Sequence, residues 1–247
     1  MDCAPAQADV AIDDFSTGAF TKTLGVTGNS GWVGYQSGSM VGGSRAVAVA
    51  TFDGIGEAQP TTVAVTPAGA FEVQSGTGIS HRVNLIYGKT PNGDAPLALD
   101  LSKTDRIRIH FTHNNSPFNQ INFNITMYEN VSPYLQIGYN VPGSAVPFDW
   151  DFMFADGILG ALPGVTKFDF SNVSIMDFQA QGGQDWGIDN IYAVSVPEPG
   201  NAALMFAGLG FLGWFSARRR TRARTQLVQA AVVERAGPDE PGAAPGQ

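Results

Sequence analysis

From residue 10 to residue 194, apolar and polar positions alternate in short runs, the period of a β-strand with one buried face. The clearest run spans residues 119–129. There Ile121, Phe123, Ile125 and Met127 point one way, and Asn122, Asn124, Thr126 and Tyr128 point the other. Residues 105–111 repeat the pattern, with Ile107, Ile109 and Phe111 set against Arg106, Arg108 and His110. Between the two runs, Asn114-Asn115-Ser116-Pro117 has turn chemistry, so they are expected to pair as a hairpin. Further strands are expected at residues 10–15, 45–52, 62–66, 70–74, 81–87, 97–101, 134–139, 167–170, 173–178 and 186–194. Gly, Asn, Ser and Pro punctuate these runs, and none carries a capped stripe of helical period. The pattern implies an all-β fold, an antiparallel β-sandwich of jelly-roll type. Ile188 and Ile191, three apart, break strict alternation in the last strand and point to a bulge or to burial on both faces.

The pattern changes after residue 196. Residues 200–217 contain no charge and are rich in Leu, Phe, Ala, Met and Gly. As a helix they reach roughly 27 Å, enough for a hydrocarbon core, and a helix is the single segment that satisfies its own backbone there. Arginines follow at 218, 219, 220, 222 and 224, with no cation on the near side. The positive-inside rule therefore puts the carboxyl end in the cytoplasm and the β region outside. A buried core helix is the alternative, although few end on so dense an arginine run. Four segments result: a signal-peptide remnant at 1–8, a sandwich at 9–195, residues 196–220 with the membrane helix 200–217, and a disordered tail at 221–247.

Pro197-Glu198-Pro199, the apolar segment and Arg218-Arg219-Arg220, in that order, resemble the PEP-CTERM sorting signal of Gram-negative bacteria. The resemblance implies recognition at Pro197, Glu198 and Pro199 by exosortase, a membrane protease-transpeptidase. It also implies anchoring at the inner membrane, then delivery to the cell surface or the extracellular polymer. Such chains usually stop soon after the arginines, whereas this one runs on from Thr225 to Gln247. At the other end, Ala6-Gln7-Ala8 is a small-x-small signal-peptidase site ahead of Asp9-Val10, with a flexible Ala-rich terminus as the alternative. Cys3 is the one cysteine, so an internal disulfide is excluded.

A second resemblance spans most of residues 10–194. Ile12-Asp13-Asp14-Phe15, Leu99-Asp100-Leu101-Ser102 and Trp186-Gly187-Ile188-Asp189-Asn190-Ile191 are similar in order to galactose-binding-like jelly rolls and carbohydrate-binding modules. There the first and last strands lie close together. The likeness implies fold more than function. It allows a structural Ca²⁺ held by Asp13, Asp14 and Asp189, although the chain shows no regular ligand spacing, and no cofactor is expected from the residues.

Residues 9–196 hold 17 of the 22 acidic residues and 8 of the 14 basic ones, which argues against nucleic acid as a partner. No Gly-x-Ser-x-Gly elbow is present, and His110 and His113 are too poorly spaced along a strand to make a metal pair. Asp149 and Asp151 flank Trp150. On a strand they share one face, about 7 Å apart, a spacing an inverting glycoside hydrolase tolerates. Phe148, Trp150 and Phe152 claim the other face, which makes the acids the solvent side of an ordinary strand. The candidate sugar site is the polar face of the hairpin, from Arg106, Arg108, Asn122, Asn124 and Tyr128, with Trp32, Tyr35, Tyr139 and Trp186 as further stacking platforms. The alternative, which the pattern favours, is the ordinary polar face of a half-buried antiparallel sheet. The leading expectation is a non-catalytic, exosortase-processed surface or extracellular-matrix protein. A carbohydrate-binding module for exopolysaccharide is the second, and a glycoside hydrolase the third.

Overall fold

A computed structural model describes residues 8–196, apart from 26–29, 53–58, 77–78, 116–119, 130–131, 161–162 and 164. The first strands are β1 (Val10–Asp13), β2 (Phe20–Leu24), β3 (Ser30–Ser37), β4 (Ser44–Phe52), β5 (Thr61–Thr66) and β6 (Ala70–Gln74). Then come β7 (Ser80–Tyr87), the small pair β8 (Lys89–Thr90) and β9 (Gly93–Asp94), β10 (Thr104–Asn114) and β11 (Ile121–Tyr128). The last are β12 (Tyr134–Val141), β13 (Phe148–Met153), β14 (Ile158–Gly160), β15 (Ile175–Gly182) and β16 (Trp186–Ser195). Apart from β8 and β9, which pair with each other, they form two seven-stranded antiparallel sheets. The first runs β13-β10-β16-β6-β5-β2, with β1 also paired to β16, and the second runs β14-β12-β11-β15-β7-β4-β3.

Period-two alternation sends one face of each sheet inward. Ile107, Ile109 and Phe111 of β10 meet Ile121, Phe123, Ile125 and Met127 of β11 in a single core, all at most 1% exposed. Rings knit the layers together. Phe123 lies 5.4 Å from Phe152, 5.9 Å from Phe111 and 6.2 Å from Trp186.

The expected hairpin does not form. β10 pairs with β13 and β16, whereas β11 pairs with β12 and β15 in the opposite sheet. Residues 115–120 are long enough to cross the roughly 10 Å between packed sheets, and alternation reports inward or outward without saying which sheet. The expected strands at 97–101 and 167–170 are also absent. Residues 97–101 run beside 170–174 through one isolated bridge, Leu99 and Val173 exchanging bonds of 3.0 and 2.9 Å, and Ala98 has φ 49°, which interrupts a ladder. The bulge in the last strand is present: His110 faces Asn190 and Phe111 faces Ile188, leaving Asp189 unopposed.

A buried polar cluster ties the two sheets at one point. Asp13 on β1 accepts from the Arg45 guanidinium of β4, from the Tyr87 hydroxyl at 2.8 Å and from Phe15 N–H at 2.8 Å. Arg45 and Tyr87 are fully buried, and the guanidinium carbon lies 4.9 Å from the Phe15 ring centre. Burial and the Asp13 charge push the Tyr87 phenol well up, which keeps it a donor.

The two ends of the sandwich lie together. Val10 pairs with Ala193 and Ala11 with Tyr192. Ser195 N–H donates to Asp9 Oδ1 at 2.9 Å, its hydroxyl donates to Ala8 O at 2.8 Å, and Val196 N–H donates to Lys103 O at 3.0 Å. The apolar segment 200–217, Pro197, Glu198, Pro199, Arg218, Arg219, Arg220, the tail 221–247 and residues 1–7 lie outside the described residues. Among the described residues no helix is long and apolar enough to cross a membrane.

Candidate functional site

The expected ligand residues fall on two opposite outer faces. On the first sheet, β10 lies beside the edge strand β13, with Arg108 opposite Asp151 and His110 opposite Asp149. Arg108 binds Asp151 through two bonds of 2.5 and 2.8 Å. Arg106 reaches Asp151 at 3.2 Å and Asp105 at 2.7 and 3.0 Å. His110 Nδ1 lies 2.7 Å from Asp149. The Arg108 hydrogen bonds hold the Asp151 carboxyl below the usual carboxylate range, and Asp151 in turn raises Arg108. An acid held ionised by two arginines is a poor general acid. Asp149 and Asp151 are thus the partners of the basic row rather than a free carboxylate pair, and Arg106 and Arg108 carry carboxylates instead of open donors.

Asn122, Asn124 and Tyr128 lie on the outer face of the second sheet, away from those arginines. Pairing sets Asn122 between Asn140 and Gln181, Asn124 between Gly138 and Gln179, and Thr126 between Gln136 and Asp177. Asn124 Nδ2 donates to Asn122 Oδ1 at 2.6 Å, and Asn122 Nδ2 donates to Asn140 Oδ1 at 3.3 Å. Gly138 makes room for this row, since a Cβ there would stand 2.3 Å from Asn124 Oδ1. Tyr128 and Tyr134 form a tilted pair 5.7 Å apart, and burial pushes the Tyr128 phenol up. Asp177 is capped by Asn84 Nδ2 at 2.9 Å, and burial raises its carboxyl.

The row ends in an open cleft of about 610 Å³, lined by Ser80, Gln120, Asn122, Asn140, Gln181 and Gln184 over Gly182 and Gly183. Every lining side chain is a neutral amide or a hydroxyl. Gln184 is 9% exposed. Its Oε1 accepts Gly183 N–H at 2.9 Å, while its Nε2 is buried without a hydrogen-bond partner. Left unpaired, a buried amide donor is costly. Such a lining pairs donors and acceptors with neutral polar groups, and it holds no carboxylate, imidazole or amine to act as a base on the Ser80 hydroxyl. Asn140 and Gln181 lie just beyond the strands expected at 134–139 and 173–178, which β12 and β15 extend to Val141 and Gly182. Gln184 was not legible in the sequence, because it lies between strands, where side-chain direction has no period.

The remaining candidates are placed elsewhere. Trp186 is a core residue, 1% exposed, whose Nε1–H donates to His81 Nε2 at 3.3 Å, and Trp32 stacks on Phe20 at 5.5 Å. Trp186 is thus no open platform, whereas the half-buried Trp32 lines a small apolar cleft with Val33 and Ala48. Tyr35 is exposed, and Tyr139 hydrogen-bonds Asp156. Asp13 is occupied by Arg45, and Asp14 accepts from the Ser16 hydroxyl at 2.6 Å, which lowers its carboxyl. Among the described residues, no group of three or more acidic, histidine or cysteine side chains is placed to hold a metal ion.

No curated protein matches the chain. Among solved structures, it is similar to the family 11 carbohydrate-binding module of a cellulosomal cellulase of Clostridium thermocellum. Identity is 13% over 76% of this chain and 95% of that one, with a TM-score of 0.39. The same kind of module in complex with a β-1,3-1,4-mixed-linked tetrasaccharide gives 15% identity over 79% and 99%, with a TM-score of 0.41. A mannan-recognising carbohydrate-binding module gives 10% over 77% and 97%, with a TM-score of 0.31. Likeness at this level carries no argument about what the chain binds. The PEP-CTERM protein-sorting motif matches residues 195–220, a span that takes in Pro197, Glu198, Pro199, Arg218, Arg219 and Arg220. The chain thus carries a PEP-CTERM sorting motif directly behind the last strand of a β-sandwich.

Proposed function

We propose that this chain is exported and that an exosortase-type enzyme processes it at Pro197-Glu198-Pro199. The sandwich would then become a non-catalytic component of the cell surface or extracellular matrix. The observation that carries this is the sorting motif at 195–220, which begins on the last residue of β16. Residues 200–217 serve as the transient inner-membrane anchor and Arg218, Arg219 and Arg220 as its cytoplasmic stop. The non-catalytic part is supported by Asp151, held ionised by Arg106 and Arg108. Mass spectrometry of the surface-exposed protein in an exosortase-bearing host tests it. The mature chain is expected to lack residues 200–247, and a Glu198→Ala chain to keep them. A wild-type carboxyl terminus still at Gln247 refutes it.

A second reading, carbohydrate binding, is favoured by the open cleft lined by neutral amides and a hydroxyl. Hydroxyls of a polysaccharide both donate and accept, which matches amides that do the same. Exopolysaccharide pull-down should retain the wild-type sandwich. It should fail with Asn122→Ala or Gln184→Ala, while Arg108→Ala, on the opposite face, should still bind. Equal retention of all three variants refutes the assignment to this cleft.

A further inference from the structure

The sorting motif begins inside the folded domain. Its first two residues, Ser195 and Val196, are the last two described residues, and the sandwich holds both by hydrogen bonds. Ser195 lies opposite Thr104 of β10 and is strapped by the amino-terminal segment, its N–H on Asp9 Oδ1 at 2.9 Å and its hydroxyl on Ala8 O at 2.8 Å. Val196 N–H is taken by Lys103 O at 3.0 Å. Pro197 follows with no spacer.

We infer that Asp9 and Ser195 are positioning residues for the sorting reaction, and that their contact restrains processing by keeping the start of the motif in the sheet. The inference rests on the sorting function proposed above. Proteases bind their substrates extended, through backbone groups on both sides of the motif. An enzyme engaged at Pro197-Glu198-Pro199 that also needs the N–H groups of Ser195 and Val196 meets them already bonded. The strand end must open first, and the observed rate scales with the open fraction. A cut at the signal-peptidase site expected at Ala6-Gln7-Ala8 removes Ala8 and its bond, so the Asp9 bond is the one that persists in the exported chain. It is exposed, holds the strand end modestly and is a brake rather than a block.

The test uses the full chain in an exosortase-bearing host with the enzyme limiting, and follows loss of the carboxyl-terminal segment by pulse-chase. Asp9→Ala is expected to speed processing about fivefold, the size of one modest hydrogen bond. A six-residue Gly/Ser insertion between Val196 and Pro197 should speed it at least as much. In that insertion background Asp9→Ala should have no further effect, whereas a variant that merely destabilised the sandwich would still act. Asp9→Asn, which keeps an acceptor oxygen, should process at close to the wild-type rate. Hydrogen exchange gives a readout independent of cleavage: the Ser195 and Val196 amides should be protected, and Asp9→Ala should lose protection at Ser195. Wild-type rates in both the Asp9→Ala and insertion chains, or unprotected amides in the wild type, overturn the inference. A chain never cut, with or without the insertion, overturns the sorting reading and this inference with it.

Discussion

His81 makes the sandwich acid-sensitive, and the size of the effect follows from its surroundings. The ring is fully buried. Trp186 Nε1–H points at Nε2 from 3.3 Å, so Nε2 must carry the lone pair, and Nδ1–H then faces Ser75 Oγ at 3.3 Å. Protonating Nε2 would set two donors face to face in the core. Burial accordingly lowers the imidazole from 6.5 to about 4, with Asp185 opposing the shift. The unfolded chain takes up a proton near pH 6.5 and the folded chain does not, so stability is complete above pH 6.5 and falls as the pH drops toward about 4. Full titration across that window removes roughly 3 kcal/mol, a large part of a domain's stability. Glu72 and Asp177 act in the opposite sense, because burial raises both carboxyls and their protonation favours the folded state as the pH falls. The comparison that isolates His81 is therefore between wild type and His81→Gln, whose amide can still accept from Trp186 and donate to Ser75 without titrating. Urea denaturation of residues 8–196 at steps from pH 7.5 to 4.5 should give the wild type a steeper loss than the variant, by about 2 kcal/mol over that range. Parallel curves would refute the reasoning, since the acid sensitivity would then lie in groups both proteins share.

Two further stability predictions separate core from face. Phe123→Ala, which opens a void among Phe111, Phe152 and Trp186, should cost about 3–5 kcal/mol, whereas Asn122→Ala next to it should stay within about 0.5 kcal/mol in the same urea assay. Similar losses at both positions would mean that the two sides of β11 are equally buried. Asp13→Ala strands the buried Arg45 guanidinium and should cost about 3–5 kcal/mol. The double variant Asp13→Leu with Arg45→Met should unfold at a higher urea concentration than Asp13→Ala alone, because it removes both charges together.

What could be read from the sequence and what could not divide along a physical line. Inward and outward are local properties, set by the pleat, and Ile107, Ile109, Phe111, Ile121, Phe123, Ile125 and Met127 are all core as their alternation requires. The bulge at Asp189 was legible for the same reason, as a break in a period. Strand partnership is not local. A connection of the length of residues 115–120 serves a hairpin or a crossover equally well, and the turn chemistry of Asn114-Asn115-Ser116-Pro117 favours the wrong one. β3 has no apolar alternation to reveal it: Val33 and Tyr35 are exposed on one side, while Gly34 on the other sits beneath Trp32, whose ring a Cβ would meet at 2.2 Å. The buried Asp13–Arg45–Tyr87 cluster joins residues 32 and 74 positions apart, a separation no sequence window covers. The single error of partnership also decides the chemistry of the candidate site. Placed beside β11, Arg106 and Arg108 would have made the asparagine face cationic and suited to anionic polymers. Placed beside β13, they meet Asp149 and Asp151 and are neutralised, while β12 and β15 surround Asn122 and Asn124 with Asn140, Gln179 and Gln181. The neutral cleft is therefore a consequence of topology, because the same side chains paired as a hairpin would line a cationic face.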